Sequence, residues 1–173
     1  MNHVHTALAS PLGLIDLYAT AEGLTGVYFA EHRHRLAIAA RDDARAAHLR
    51  HAARELEAYF AHELTHFTVP LSPAGTAFQQ RVWRGLGEIA YGDTESYAAL
   101  ARRIERPLAV RAVGAANGRN PLSIVVPCHR VIAAGGALTG YAGGLPRKDW
   151  LLKHERAHKG ATRGARHLHP EVG

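Results

Sequence analysis

The chain has 173 residues, 47% of them apolar, with a single cysteine and thirteen histidines. That length buries a real core as one domain or two small ones, and a lone cysteine excludes an internal disulfide or a cysteine-built zinc site. The net charge of +6 is uneven: residues 1–80 carry six Lys or Arg against eight Asp or Glu, and residues 81–173 carry fifteen against seven. A basic half of this kind attracts a polyanion, although a solvated basic face and tail would give the same count. Pro11 and Asp16 interrupt the first apolar run and no Lys or Arg precedes it, so neither a signal peptide nor a membrane span is expected. The expectation is a cytoplasmic protein acting as a monomer.

Residues 5–9, 12–18 and 23–29 alternate in the manner of strands, with Ser10-Pro11-Leu12-Gly13 and Ala21-Glu22-Gly23 as turns, which predicts a small antiparallel meander. Residues 43–63 read as a helix with an apolar stripe of Ala47, Leu49, Ala53, Leu56 and Phe60. Leu71-Ser72-Pro73-Ala74-Gly75 reads as a linker, closing a first domain of residues 1–75. A helical pattern follows over 76–89, with Phe78, Val82, Trp83 and Leu86 on one face, and Gly92-Asp93 ends it. Ser96 then precedes a short helix to Ile104, and Pro107 opens another that runs to Gly118. Two short helices across a tight turn form a helix-turn-helix candidate, although a helical hairpin in a core looks similar. The fold class expected is α/β of the α+β kind: a small sheet with a helix, then a mainly helical domain over 76–156, then a basic flexible tail over 157–173.

The second helix of the pair, Arg111-Ala112-Val113-Gly114-Ala115-Ala116, lacks the Asn, Gln and Arg readers of a major-groove recognition helix. Its small residues let the backbone approach a partner closely, with Arg111 as the one large probe; tight packing against a neighbouring helix explains the same alanines.

The β-branched run Ile124-Val125-Val126 reads as a buried strand that Pro127 ends, delivering Cys128 to a strand terminus. A thiol is only a few per cent ionised at neutral pH, so a nucleophilic Cys128 needs a base. His129 adjoins it, and adjacent side chains diverge, so a bridging water is the easier geometry than direct contact. Glu155, on the helix that Pro146 opens and Trp150, Leu151 and Leu152 anchor, is the candidate to orient the imidazole. His154 and His158 stand one helical turn apart and His167 and His169 follow, but they form no ligand set of defined spacing, so no metal is expected.

Pro127-Cys128-His129-Arg130, with Arg111-Ala-Val-Gly114, Asn120-Pro121, Gly140-Tyr141-Ala-Gly-Gly144 and Trp150-Leu-Leu-Lys-His-Glu155, resembles the methylated-DNA–protein-cysteine methyltransferases over residues 76–156. The resemblance implies direct repair of O6-alkylguanine in double-stranded DNA, and of O4-alkylthymine, by one irreversible transfer to the protein, with no cofactor. It makes Cys128 the acceptor, with His129 taking its proton through a water and Glu155 orienting His129. Asn120 ties the active-site turn together, Tyr97 meets N3 of the leaving guanine, and Arg111 enters the base stack. Ala112, Gly114 and Ala115 face DNA. Tyr97, Cys128, Val131, Tyr141 and Ala142 line the pocket, with the Tyr141 and Ala142 amides near O6 and the Cys128 and Val131 carbonyls near the exocyclic amine.

Residues 1–75 match that family only in general layout and contain no cysteine, and Ala142 stands where some relatives have serine. Noncatalytic relatives lack the acceptor cysteine, so Cys128 argues for transfer over binding alone. A helix-turn-helix regulator would need base readers, and Cys-His hydrolases generally draw their histidine from a distant segment.

Overall fold

The computed structural model describes residues 1–166, with side chains through Lys159. Strands β1 (His3–Ser10), β2 (Gly13–Ala19) and β3 (Leu24–Phe29) form the expected meander, pairing antiparallel with Leu17 opposite both Thr6 and Val27. A fourth strand, β4 (Ala40–Asp42), joins the outer edge of β1 in parallel, so the sheet is mixed, with order β3-β2-β1-β4. All three β4 residues are exposed, so no apolar alternation marks it in the sequence. Helix α1 is Ala47–Phe60, shorter at both ends than the expected 43–63. It buries Leu49, Ala52, Leu56 and Tyr59, so the buried stripe passes through Tyr59 rather than Phe60.

Helix α2 (Ala77–Gly87) begins at a capping box: the Gln79 amide donates to Thr76 Oγ1 at 3.1 Å and the Thr76 amide to Gln79 Oε1 at 2.9 Å. Helix α3 (Tyr97–Arg103) is capped by Ser96, and α4 (Val110–Gly118) starts three residues later than Pro107. Trp83 of α2 donates its indole N–H to the Ala116 carbonyl of α4 at 2.9 Å, locking the helix pair to the core. A short parallel pair, β5 (Glu95–Ser96) with β6 (Val131–Ile132), interrupts the otherwise helical second half.

Residues 124–126 form no strand. Ile124 adopts φ +70, the left-handed region that strains a β-branched side chain, and the chain turns so that the Val126 amide donates to the Leu122 carbonyl at 2.9 Å. The run is apolar because Ile124, Val125 and Val126 are all buried. Its approach continues the N-terminal sheet instead: the Val27 amide donates to the Pro121 carbonyl at 2.8 Å, and the Ser123 amide to the Val27 carbonyl at 3.2 Å. The edge of β3 therefore holds the turn that carries the cysteine.

Helix α5 spans Leu145–Arg166, so residues 157–166, expected as tail, belong to its backbone; residues 167–173, with His167 and His169, lie outside the described residues. Its buried phase is Lys148, Leu151, Leu152 and Glu155. His154 stacks between Trp150 and His62, with centroids at 4.7 and 3.9 Å, and donates to the Tyr59 carbonyl at 2.9 Å. No helix among the described residues is long and apolar enough to cross a membrane.

The capping box gives a direct test of the domain junction. Thr76→Ala removes the hydroxyl that accepts from the Gln79 amide at the start of α2, leaving the residue-76 amide to donate to Gln79, and should lower stability by about 1 kcal/mol, read from the urea midpoint with an unchanged slope.

Candidate active site

Pro127 leads into a single 3-10 turn, Cys128–Arg130, whose three residues are all buried. Asn120 replaces the hydrogen bonds a strand would have supplied. Its Nδ2 donates to the Val126 carbonyl at 2.8 Å and its Oδ1 accepts from the Leu122 amide at 3.0 Å. Burial pushes the Cys128 thiol above its ordinary pKa, while hydrogen bonding by Asn120 and the nearby Lys148 charge pull the other way. The sulfur is therefore a protonated thiol at neutral pH.

His129 is wholly buried, and its Nε2–H donates to Glu155 Oε1 at 2.7 Å. That bond sets the tautomer, leaving Nδ1 as a bare acceptor, and Nδ1 meets no protein hydrogen-bond partner. Burial lowers the His129 pKa despite the adjacent carboxylate, so the ring is a neutral base. Glu155 is ionised: burial opposes its charge, but His129 and Arg130 outweigh it and hold the carboxyl well below the usual range. Its oxygens also accept from Arg130 Nε and Nη2, each at 2.9 Å, from the Tyr59 hydroxyl at 2.8 Å and from the Gly92 amide at 3.3 Å.

Tyr59 and Lys148 reach the site although no motif singles them out, and Arg130, within the Pro127–Arg130 motif, had no role assigned from sequence. Arg130 adds a bond to the Ile89 carbonyl at 2.7 Å and lies over the Tyr91 ring. Tyr59 comes from α1, so the N-terminal half supports the site. Lys148 is fully buried and donates to the carbonyls of Val131, Thr139 and Gly140 at 2.6, 3.1 and 3.4 Å. A cation on the buried phase of α5, three and four residues before Leu151 and Leu152, was the available signal for it.

Tyr97, Gly114, Ala115, Asn117, Tyr141 and Ala142 line a cleft of about 200 Å³, which Arg33 and His34 complete from the N-terminal half. Asn117 in its wall donates to the Cys128 carbonyl at 3.5 Å, and both Tyr97 and Tyr141 lie within electrostatic reach of the sulfur. Tyr97 is half-buried, its hydroxyl donating weakly to the Thr139 carbonyl at 3.4 Å, and burial raises its pKa. The Val131 carbonyl, expected to face a guanine amine, already accepts from Lys148; one lone pair remains for a second donor. On α4, Arg111, Ala112 and Ala115 are exposed along one face while Val113 and Ala116 are buried. Gly143 packs against Phe29, where an added Cβ would lie 2.7 Å from the ring. Cys128 and Val131, expected in the pocket, are buried and do not line this cleft, and Cys128 is likewise absent from a larger cavity of about 390 Å³ along Ile124–Pro127, which Tyr97 does not line.

Residues 3–73 match the family described as 6-O-methylguanine DNA methyltransferase, ribonuclease-like domain, and residues 77–157 match 6-O-methylguanine DNA methyltransferase, DNA binding domain. A methylated-DNA–protein-cysteine methyltransferase of Methanosarcina acetivorans is 50% identical over 146 residues, covering 84% of this chain and 94% of the relative. The chain belongs to this methyltransferase family. A relative of the same name from Mycolicibacterium paratuberculosis is 58% identical over 111 residues, 64% of this chain and 67% of that one. Among solved structures, Mycobacterium tuberculosis OGT in complex with DNA superposes with a TM-score of 0.85 at 44% identity, covering 90% of this chain and 94% of that one.

Removing one partner of a buried ion pair strands the other, so Arg130→Ala should cost about 3–5 kcal/mol in urea unfolding at neutral pH. The depressed Glu155 pKa stabilises the fold at pH values above the unfolded carboxyl pKa of about 4.5, and that contribution is lost as pH falls further. The variant should accordingly lose less than the parent on the same acidification.

Proposed function

We propose that this protein repairs DNA by direct reversal, moving an alkyl group from O6 of guanine, or O4 of thymine, to Cys128 Sγ in one irreversible event per molecule. The observation that carries the reading is the buried cysteine beside a histidine whose tautomer is set by an ionised glutamate, in a chain of this family. The structure of M. tuberculosis OGT in complex with DNA supports DNA as the partner.

A methyl group on a stacked base cannot be approached in line by a buried sulfur, so the nucleotide must rotate out of the helix, at a cost of a few kcal/mol. Arg111 is exposed near the start of α4 and enters the gap left in the stack, while Ala112, Gly114 and Ala115 let the helix backbone come close. The base enters the cleft between Tyr97 and the Gly140–Gly144 loop, with Tyr141 and Ala142 amides near O6. As sulfur bonds to the alkyl carbon, the carbon–O6 bond breaks and its electrons pass into the guanine ring. The thiol proton goes through a water to His129 Nδ1, and Tyr97 gives its proton to guanine N3, stabilising charge where it develops. Proton exchange with solvent restores both groups. The thioether that remains has no leaving group, so the acceptor is consumed. Lys148 stabilises negative charge on sulfur and, through three carbonyls, holds the pocket loop in place.

Intact-protein mass after mixing with an O6-methylguanine duplex should rise by one methylene, located on Cys128 by peptide mapping and absent in Cys128→Ser. Folded protein that binds the duplex without gaining mass would reduce the function to lesion binding. The buried thiol and the neutral imidazole also predict the shape of the pH profile. With His129 as base, the single-turnover rate should level off by neutral pH, because the imidazole is neutral from below its ordinary pKa. Direct ionisation of the thiol would instead give a rate still rising through pH 8.5.

A further inference from the structure

The cleft mouth contains a feature that alkyl transfer by itself does not require. Arg33 and His34 sit on the loop between β3 and β4, yet they line the same cleft as Tyr97 and Tyr141. The loop is pinned there. The Arg33 amide donates to the Ala142 carbonyl at 2.8 Å, and the His34 amide to Nδ1 of His32, which is buried edge-on against Tyr28. On the opposite wall Gly118 closes α4, and Arg119, the next residue, stands close enough to His34 that its charge, after burial, is the largest influence lowering the His34 pKa, with Arg33 next. Both arginines are exposed, and neither is ion-paired among the described residues, whereas Arg35 on the same loop is bound to Asp16.

Like charges drawn together without a counter-charge repel one another, so an anion between them is favoured. A nucleotide that leaves the stack brings its phosphate to the cleft mouth, and a guanidinium fork fits phosphate oxygens in a bidentate manner. We propose that Arg33, His34 and Arg119 clamp the phosphate of the rotated nucleotide, so that the N-terminal sheet supplies one jaw of the DNA site. This rests on the alkyl-transfer reading above. It also gives the acidic half of the chain a role in binding that its net charge conceals.

The test uses the full chain with Arg33→Ala and Arg119→Ala combined, its fold checked by thermal melting. Transfer from an O6-methylguanine duplex at subsaturating protein should slow about tenfold more than transfer from free O6-benzylguanine. The logarithmic salt dependence of duplex binding should become shallower by about one. A neutral methylphosphonate at the lesion's own phosphate should slow the parent protein but scarcely slow the double variant further, and the Arg33→Lys, Arg119→Lys pair should recover part of the loss. Equal slowing on both substrates, an unchanged salt slope, or additive effects of the methylphosphonate and the substitutions would overturn the clamp. A parent protein that takes no alkyl group would overturn the transfer reading instead, and the salt slope of duplex binding would still report on the clamp.

Discussion

The buried carboxylate of Glu155 is the constraint from which the rest of the site follows. An ionised carboxylate away from water costs several kcal/mol unless its oxygens are filled, and here donors from three separate segments fill them. His129 and Arg130 arrive from the 3-10 turn, Tyr59 from α1, Gly92 from the bend after α2, and the carboxylate itself from α5. Each donor is also a tie between elements distant in sequence. The charge that sets the His129 tautomer thus joins the N-terminal helix to the turn bearing Cys128, and that tautomer is as firmly set as the core around it.

The sulfur is placed under opposing demands. Burial keeps Cys128 protonated and shielded, while Asn120 and Lys148 favour the thiolate without creating it outright. A proton acceptor is then needed at the moment of reaction, and the bare Nδ1 of a neutral His129 is suited to it. Lys148 serves sulfur and pocket together, because its charge lies near the thiol while its three hydrogen bonds gather the carbonyls of the surrounding loop. The strained φ of Ile124 belongs to the same economy of position: the backbone must turn sharply to present Cys128, and Asn120 with the β3 edge holds it there.

Sequence reading was most successful where local chemistry decides structure. The helical pattern that starts at residue 76 and Ser96 before Tyr97 mark helix starts because periodicity and capping are local, and Cys128, His129 and Glu155 stand out through their types and motif context. It failed at Ile124–Val126, where β-branched composition indicates burial but not the means of burial; these residues find no partner strand, and a side-chain amide takes over the hydrogen bonding. It missed β4, which is short and exposed. The small-residue character of α4 was legible, but the contribution of Arg33 and His34 to the cleft was not, since nothing in residues 30–35 points to a helix more than 75 positions away.

The amino-acid sequence by itself determined the reactive inventory: one thiol, its neighbouring imidazole, a carboxylate on the buried phase of a helix and a helix of small residues led by Arg111. Those follow from residue type and short-range spacing. Tertiary structure decided the pairings: Tyr59 and Arg130 on Glu155, Lys148 beneath the pocket loop, and Arg33 with His34 of the β3–β4 loop on the cleft wall. The physical reason is that a buried charge takes whichever donors close packing brings to it, and packing between distant segments leaves no periodicity for the sequence to display.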